Sequence, residues 1–311
     1  MACVQYMGKS IVMPLRNAME LRHIRYFLAV AEERNFTRAA EKVGIGQPPF
    51  SRQIKDLETE VGARLFHRVP HGAELTEAGS AFLEAVKGFP EQTSRAVRLA
   101  QRAARGETGS LRLGYTGAAT YNRAIPLAIR RFRRAYPDVD LSLREANTTL
   151  LVEAVESGEL DVAFLRTWTD LTGHLRLRRV AEEPMLAVVP TRHRVSRQKA
   201  VDLRDLRSER FVLIPRSVGP DFFDAIVSAC RESGFEPDVD QSAAPQINSV
   251  VSLVSAELGV SLVPASTQQL RMAGVAYVPI KGRTPTARLS LAHRRGDTST
   301  IVRNFLDCAL G

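Results

Sequence analysis

The chain has 311 residues, 44% of them hydrophobic and 25% charged, which excludes a disordered chain and leaves room for two domains at roughly 150 residues each. No run of about 18 apolar residues occurs, since Asn248, Glu257 and several serines interrupt the nearest stretch, so no membrane span is expected. Three cysteines, Cys3, Cys230 and Cys308, are too few for a disulfide scaffold and fit a reducing cytoplasm. The formal charge of +9 hints at an anionic partner, but residues 20–80 hold equal numbers of basic and acidic side chains. Any nucleic-acid role must therefore rest on placed residues and not on bulk charge.

Residues 1–18 show neither an amphipathic period nor a signal-peptide core, because Lys9 and Pro14 interrupt every apolar run. Met7, Met13 and Met19 all offer starts, and residues 1–19 read as a disordered leader or a start-site artefact. From Glu20 the pattern turns helical, with Ile24, Phe27, Leu28 and Ala31 at three- and four-residue steps. Thr37 is the expected N-cap of a short helix over 38–43, which Gly44-Ile45-Gly46 breaks. A third helix follows, opened by Pro48 and Pro49, whose missing N–H groups cost nothing in a first turn. Its apolar residues Phe50, Ile54, Leu57 and Val61 form one stripe; Ser51, Arg52, Lys55 and Asp56 face outward, with Gln47 and Gln53 alongside. Two short helices around a glycine turn, the second with a polar face, describe a helix-turn-helix. Segments 64–68 and 73–76, around Pro70-His71-Gly72, read as a small wing.

Thr76 opens a long helix to about Arg105, with Phe82, Val86, Phe89, Thr93, Val97, Ala100 and Ala104 near heptad spacing, a narrow seam suited to dimerisation. Gly88 and Pro90 predict a kink or break in it. Beyond Gly106-Glu107-Thr108-Gly109, strands over 111–115, 139–145 and 160–165 alternate with helices over 121–136 and 149–157. A second cycle places strands at 185–189, 211–214, 260–263, 275–279 and 288–293, and helices at 221–233, 247–258 and 300–310. Two such cycles predict two α/β subdomains with a cleft between them, where ligands sit at strand carboxyl ends and helix amino ends. The expected organisation is thus a DNA-binding part over 20–78, a linker helix and hinge over 79–107, and a cleft-bearing domain over 108–311. That last domain divides into subdomain I, 108–180 with 282–311, and subdomain II, 181–281.

Several strings carry a resemblance: Tyr26-Phe27, Phe36-Thr37-Arg38-Ala39-Ala40, and Gln47-Pro48-Pro49-Phe50-Ser51-Arg52-Gln53-Ile54-Lys55 through Leu57-Glu58. Gly62, Leu65-Phe66, Arg68 and Leu75-Thr76 with Ala78-Gly79 complete the first part; Pro126, 161–164 and 259–266 extend it over 19–309. On these residues the chain resembles the LysR-type transcriptional regulators, most closely members controlling aromatic-compound degradation. The resemblance implies a winged helix-turn-helix, a linker helix and a two-lobed effector domain like the type II periplasmic binding proteins. It also implies double-stranded DNA, a small-molecule effector, self-association to dimer and tetramer, and RNA polymerase as partners.

A recognition helix needs short polar side chains and a guanidinium or amide at its amino end to reach base edges. Gln47, Ser51, Arg52 and Gln53 supply these, and Pro48 and Pro49 set the entry of the helix. Thr37, Arg38, Lys55 and Arg68 suit phosphates, which fix register without reading sequence. The bland alternative pairs Arg52 and Lys55 with Asp56 and Glu58 on a solvated face. Gly46 stands where the family often has a hydroxyl residue, so that helix is expected to lack a side-chain cap. In the cleft, the resemblance points to Thr148 at a helix start, Arg166 as a cation for carboxylate, Phe222 as an apolar wall, and Pro264 and Ser266 at the opposite lip. An ordinary N-cap at Thr148 and an ordinary ion pair at Arg166 are the competing readings. Gly117-Ala118-Ala119 replaces a hydroxyl found in muconate-type relatives; Thr116 or Thr120 would substitute, and the ligand becomes a generic small carboxylate or aromatic-derived acid.

His67 and His71 cannot align on a helix across Pro70 and Gly72, so no metal site is expected there. No catalytic or nucleotide-binding string occurs, so neither an enzyme nor a cofactor is expected. Cys230 and Cys308 read as packing, and Trp168 reads equally as cleft mouth or surface. The sequence describes a ligand-responsive, cytoplasmic DNA-binding regulator. A two-lobed solute-binding protein and a thiol-based redox sensor are the alternatives.

Overall fold

The computed structural model describes residues 19–70, 72–167, 173–240 and 244–311, so the leader with Cys3, the wing-tip His71 and Trp168 lie outside the described residues. The chain divides into two compact units, one ending at Ala100 and one beginning at Gln101.

In the first unit, α1 (Leu21–Glu33), α2 (Phe36–Val43) and α3 (Gln47–Val61) are followed by the hairpin β1 (Phe66–Val69) and β2 (Gly72–Leu75), then α4 (Glu77–Val86). Their stripes converge on Phe27, Phe50, Leu57 and Leu65, all with no exposed surface. Phe27 lies 5.1 Å from the Phe66 ring and meets Phe82 edge-on at 4.9 Å, a geometry that adds to plain area burial. Asn35, not Thr37, caps α2: its side chain accepts the Thr37 and Arg38 amides at 2.9 and 3.1 Å, and the helix starts at Phe36. α3 begins after Gly46 with no side-chain cap and carries prolines in its first turn. Two glycines permit close approaches. A Cβ on Gly72 would fall 2.2 Å from the Arg34 carbonyl oxygen that accepts the Ala73 amide, and one on Gly79 would fall 2.0 Å from that of Leu65.

The long helix expected over 76–105 is two helices, α4 and α5 (Phe89–Ala104), parted at Lys87 and Gly88. Pro90 falls in the first turn of the second, where it forfeits no hydrogen bond. Phe82 and Val86, expected on a dimer seam, pack into the helical core instead, and Val86 is 4% exposed. The same three- and four-residue spacing serves either face, and the core was nearer. α5 buries none of its residues, and Val97 and Leu99 stand about half exposed.

The second unit opens with β3 (Gly109–Tyr115), a 3-10 turn at Gly117–Tyr121, α6 (Ala124–Ala135), β4 (Val139–Glu145), α7 (Thr148–Glu156) and β5 (Val162–Leu165). It continues with β6 (Leu175–Pro190), β7 (Arg210–Phe211), α8 (Pro220–Glu232), β8 (Asp238–Val239) and α9 (Ile247–Ser255). β9 (Ser261–Pro264), β10 (Val275–Pro279), β11 (Thr286–Arg294) and α10 (Thr300–Leu310) close it. The expected helix over 121–136 begins at Ala124, because the stretch before it tightens into the 3-10 turn. The strand expected over 211–214 is two residues long. β3 pairs in parallel with β4 and β5, and β11 runs antiparallel between β5 and β6. The far half of β6 pairs antiparallel with β9 and β10. One sixteen-residue strand thus serves both lobes, where only 185–189 was expected. Its first half alternates apolar and charged residues only as far as Arg178; Arg179 and the Glu182-Glu183-Pro184 string break the period, so the strand signal there is too short to read. Lobe I buries Leu111, Phe132, Phe164 and Phe305, and lobe II buries Phe211, Ile226, Val251 and Leu262.

Candidate DNA-reading face and effector cavity

The polar face of α3 is open. Gln47, Pro48, Pro49, Arg52 and Lys55 are exposed and Ser51 is half-buried beside them. Among the described residues neither Arg52 nor Lys55 has an ion-pair partner, because their expected acidic partners are engaged elsewhere. Glu58 accepts the Leu65 and Phe66 amides at 2.8 and 3.2 Å, and Asp56 lies 3.5 Å from the Gln53 amide nitrogen. The Gln47 amide donates to the Ser51 hydroxyl at 3.2 Å, which holds both at the head of the helix. Gln53 is set apart from that group. Buried His23 accepts the Glu20 amide on Nδ1, so its Nε2 carries the proton and donates to the Gln53 carbonyl oxygen at 3.0 Å. Gln53 is therefore half a structural tie between α1 and α3, a role its spacing did not reveal. Thr37 and Arg38 are exposed at the start of α2, with Arg38 donating to the Glu33 carbonyl at 2.6 Å. Arg68 lies on the wing with its guanidinium 5.0 Å over the Phe36 ring, a cation–π contact that restrains it.

In the second unit a cavity of about 160 Å³ lies between the lobes, lined by Thr116, Thr148, Arg166 and Phe222 among the expected residues. Ile214, Val218, Pro245 and Ile247 add apolar wall that sequence reasoning missed. Thr120 does not line it; its hydroxyl donates to the Gly117 carbonyl at 2.6 Å within the 3-10 turn. Pro264 does not line it either, being buried in β9 opposite Met185. Ser266 stands one bond away, its hydroxyl 3.3 Å from Arg166 Nη2. Thr148 begins α7, but the cap is Asn147, which accepts the Leu150 amide at 2.9 Å. The amino ends of α7, α8 and α9 all reach the cavity through Thr148, Gly219 and Gln246, and neither of the last two helices has a side-chain cap. Three positive dipole ends favour an anion there.

Arg166 is 5% exposed and joined to Glu183 at 2.8 Å through Nη2. The ion pair is thus present, while its Nε and Nη1 are buried and have no partner among the described residues. The Thr116 hydroxyl, on the same cavity wall, is also buried without a partner. Buried donors left unmade are costly, and a ligand oxygen would satisfy them. Glu183 went unnoticed in the sequence, where it stands in an unremarkable Glu182-Glu183-Pro184 string. It accepts from the Ser266 amide at 2.6 Å, the Ser266 hydroxyl at 3.0 Å and Asn122 at 3.1 Å. Burial pulls the Arg166 guanidinium below its ordinary value against the attraction of Glu183. Burial also pushes the Glu183 carboxyl up, but the charge of Arg166 and the hydrogen bonds from Arg166, Asn122 and Ser266 outweigh it and hold the group below the carboxylate range.

Burial first, and the Glu236 charge second, push the Cys230 thiol up to about 12, and burial raises Cys308 as well. Neither is a reactive thiolate near neutral pH, which argues against a redox-sensing role. No helix among the described residues is long and apolar enough to cross a membrane.

Residues 21–80 match the bacterial regulatory helix-turn-helix protein, lysR family, and residues 104–311 match the LysR substrate binding domain. The HTH-type transcriptional regulator BudR of Raoultella terrigena is 37% identical over 292 residues, covering 93% of this chain and 99% of that protein. BenM of Acinetobacter baylyi is 32% identical over 291 residues, covering 93% and 94%. The crystal structure of full-length CbnR complexed with its target DNA is similar at a TM-score of 0.76 and 30% identity, covering 94% of this chain and 98% of that one. With the helix-turn-helix and the two-lobed ligand-binding fold both in place, the chain belongs to the LysR-type family of DNA-binding transcriptional regulators and is not an enzyme.

Proposed function

We propose that this regulator binds promoter DNA as a dimer of dimers and answers to a small carboxylate held at Arg166. The observation that carries the effector reading is a buried guanidinium with two unpartnered nitrogens beside a cavity at three helix amino ends. Gln47, Ser51 and Arg52 read base edges, with Gln53 at the side of the helix and Pro48 and Pro49 against the groove wall. Thr37, Arg38, Lys55 and Arg68 hold phosphates. The exposed Val97 and Leu99 on α5 support pairing of two chains through that helix, which spaces two recognition helices along the duplex. A carboxylate satisfying Arg166 and Thr116 draws the lobes together and shifts the population between two assemblies. RNA polymerase is the further partner of an activating regulator.

Fluorescence anisotropy on a labelled fragment of the protein's own upstream region tests this reading at physiological salt, against random duplex and with small carboxylic acids added. Sequence preference and an acid-dependent change are expected for the wild type. Arg166→Ala should keep the preference and lose the acid response. Equal affinity for random DNA would sink the promoter assignment, and an unchanged acid response in Arg166→Ala would sink the cavity assignment.

A further inference from the structure

We propose that Glu183 fixes the charge of the effector at one, so that the cavity takes a short monocarboxylate and rejects a dicarboxylate. The inference rests on the carboxylate reading of the cavity given above and deepens it. Among the described residues Arg166 is the one charged side chain on the cavity wall. Its charge is already balanced by Glu183 at 2.8 Å, so the pair is formally neutral before any ligand enters. What remains for an anion is the Nε and Nη1 groups, the Thr116 hydroxyl and the helix amino ends. Those donors stabilise one carboxylate. A second would meet only neutral groups, the side chains of Asn147, Thr148 and Gln246 beside Ile214, Val218 and Phe222, and would be desolvated without a full counter-charge. The volume of about 160 Å³ also falls below the roughly 300–1,000 Å³ of sites for drug-sized ligands, so the body of the acid is short.

Glu183 does not line the cavity and acts through Arg166, as a positioning residue. The Ser266 amide and hydroxyl and the Asn122 amide pin its carboxylate from both lobes. It therefore stays on Nη2 and leaves the other two nitrogens without a protein partner among the described residues. A free carboxylate would swing away and release the full charge of Arg166 to a dianion.

The test is calorimetric titration of the full chain at pH 7 with butanoate and butanedioate, acids of equal carbon number and one or two charges. The wild type is expected to bind butanoate at least tenfold more tightly. Glu183→Gln keeps the shape and an accepting oxygen but frees the charge of Arg166, and should move the ratio at least tenfold toward butanedioate. A purely structural role for Glu183 would weaken both acids alike and leave the ratio where it was, which overturns the inference. Should Glu183→Gln fail to fold, the wild-type ratio decides alone: butanedioate bound as tightly as butanoate refutes it. If both acids bind the wild type equally and neither binds Arg166→Ala, the carboxylate site stands and only the Glu183 assignment falls. If neither acid binds the wild type, the carboxylate reading itself fails and takes this inference with it.

Discussion

In the helical unit the cations proposed to meet DNA, Arg52 and Lys55, stand in water on α3 with no ion-pair partner among the described residues. In the α/β unit the cation proposed for the effector, Arg166, is 5% exposed and already holds the Glu183 carboxylate. Water keeps the first pair ready at no cost to folding, but it also screens their field and makes their binding salt-dependent. Burial leaves two Arg166 nitrogens without a partner among the described residues, and the proposed carboxylate would satisfy them. Under the proposed roles, the exposed cations meet a polymer of phosphates and the buried one meets a single small anion.

Making the same truncation in both units breaks the comparison most sharply. Arg166→Ala strands a buried carboxylate and should destabilise the α/β unit by about 3–5 kcal/mol in urea unfolding. Replacing Arg166 and Glu183 together with methionines should recover most of that loss. A single variant as stable as the wild type would show that the pair is not the buried couple described. Arg52→Ala should leave folding within about 0.5 kcal/mol yet cost roughly 1–3 kcal/mol of discrimination between cognate and random DNA. Equal losses on both duplexes would move Arg52 to the phosphate-holding group with Lys55. Within the helical unit, Asn35→Ala should cost about 1 kcal/mol of stability because two amides lose their acceptor. Thr37→Ala should cost less, and the reverse order would restore Thr37 as the cap.

Acid gives the smallest effect near neutrality. Glu183 and Asp161 are both held below the usual carboxylate range, Asp161 against its own burial by the hydrogen bonds and charge of Arg112 and the charge of Arg294. Groups lowered in the folded state contribute stability that is present above their unfolded values of about 4 and lost as pH falls below them. The α/β unit should therefore weaken below about pH 4, and less steeply in Glu183→Gln and Asp161→Asn than in the wild type. Parallel pH profiles in all three would remove both carboxylates from the account.

The helical unit was legible because its signals are local. The stripe of Phe50, Ile54 and Leu57 and the two prolines before it identify α3 without reference to any other segment. Asn35 and Thr37 are both cap formers two residues apart, and only the backbone shows which amides each can reach. The heptad spacing through Phe82 and Val86 carries no label for which neighbour it meets. Glu183 was out of reach for a different reason. Its partners come from residues 122, 166 and 266, and no window of sequence contains them together. Arg166 was reached through the resemblance, just after an apolar strand, but that position does not distinguish a free guanidinium from a paired one.

β6 gives the lobes a shared joint. Among the described residues the chain passes between them twice, along β6 at Pro184 and back through Pro285 into β11, and the two crossings are laced by the Met185 amide donating to the Pro285 carbonyl at 2.8 Å. Neither proline has an N–H to give and both hold φ nearly fixed. Turning one lobe against the other is therefore torsion of a stiff two-stranded ribbon, not the swing of a slack loop. Closure on the carboxylate proposed at Arg166 would therefore have to twist this ribbon.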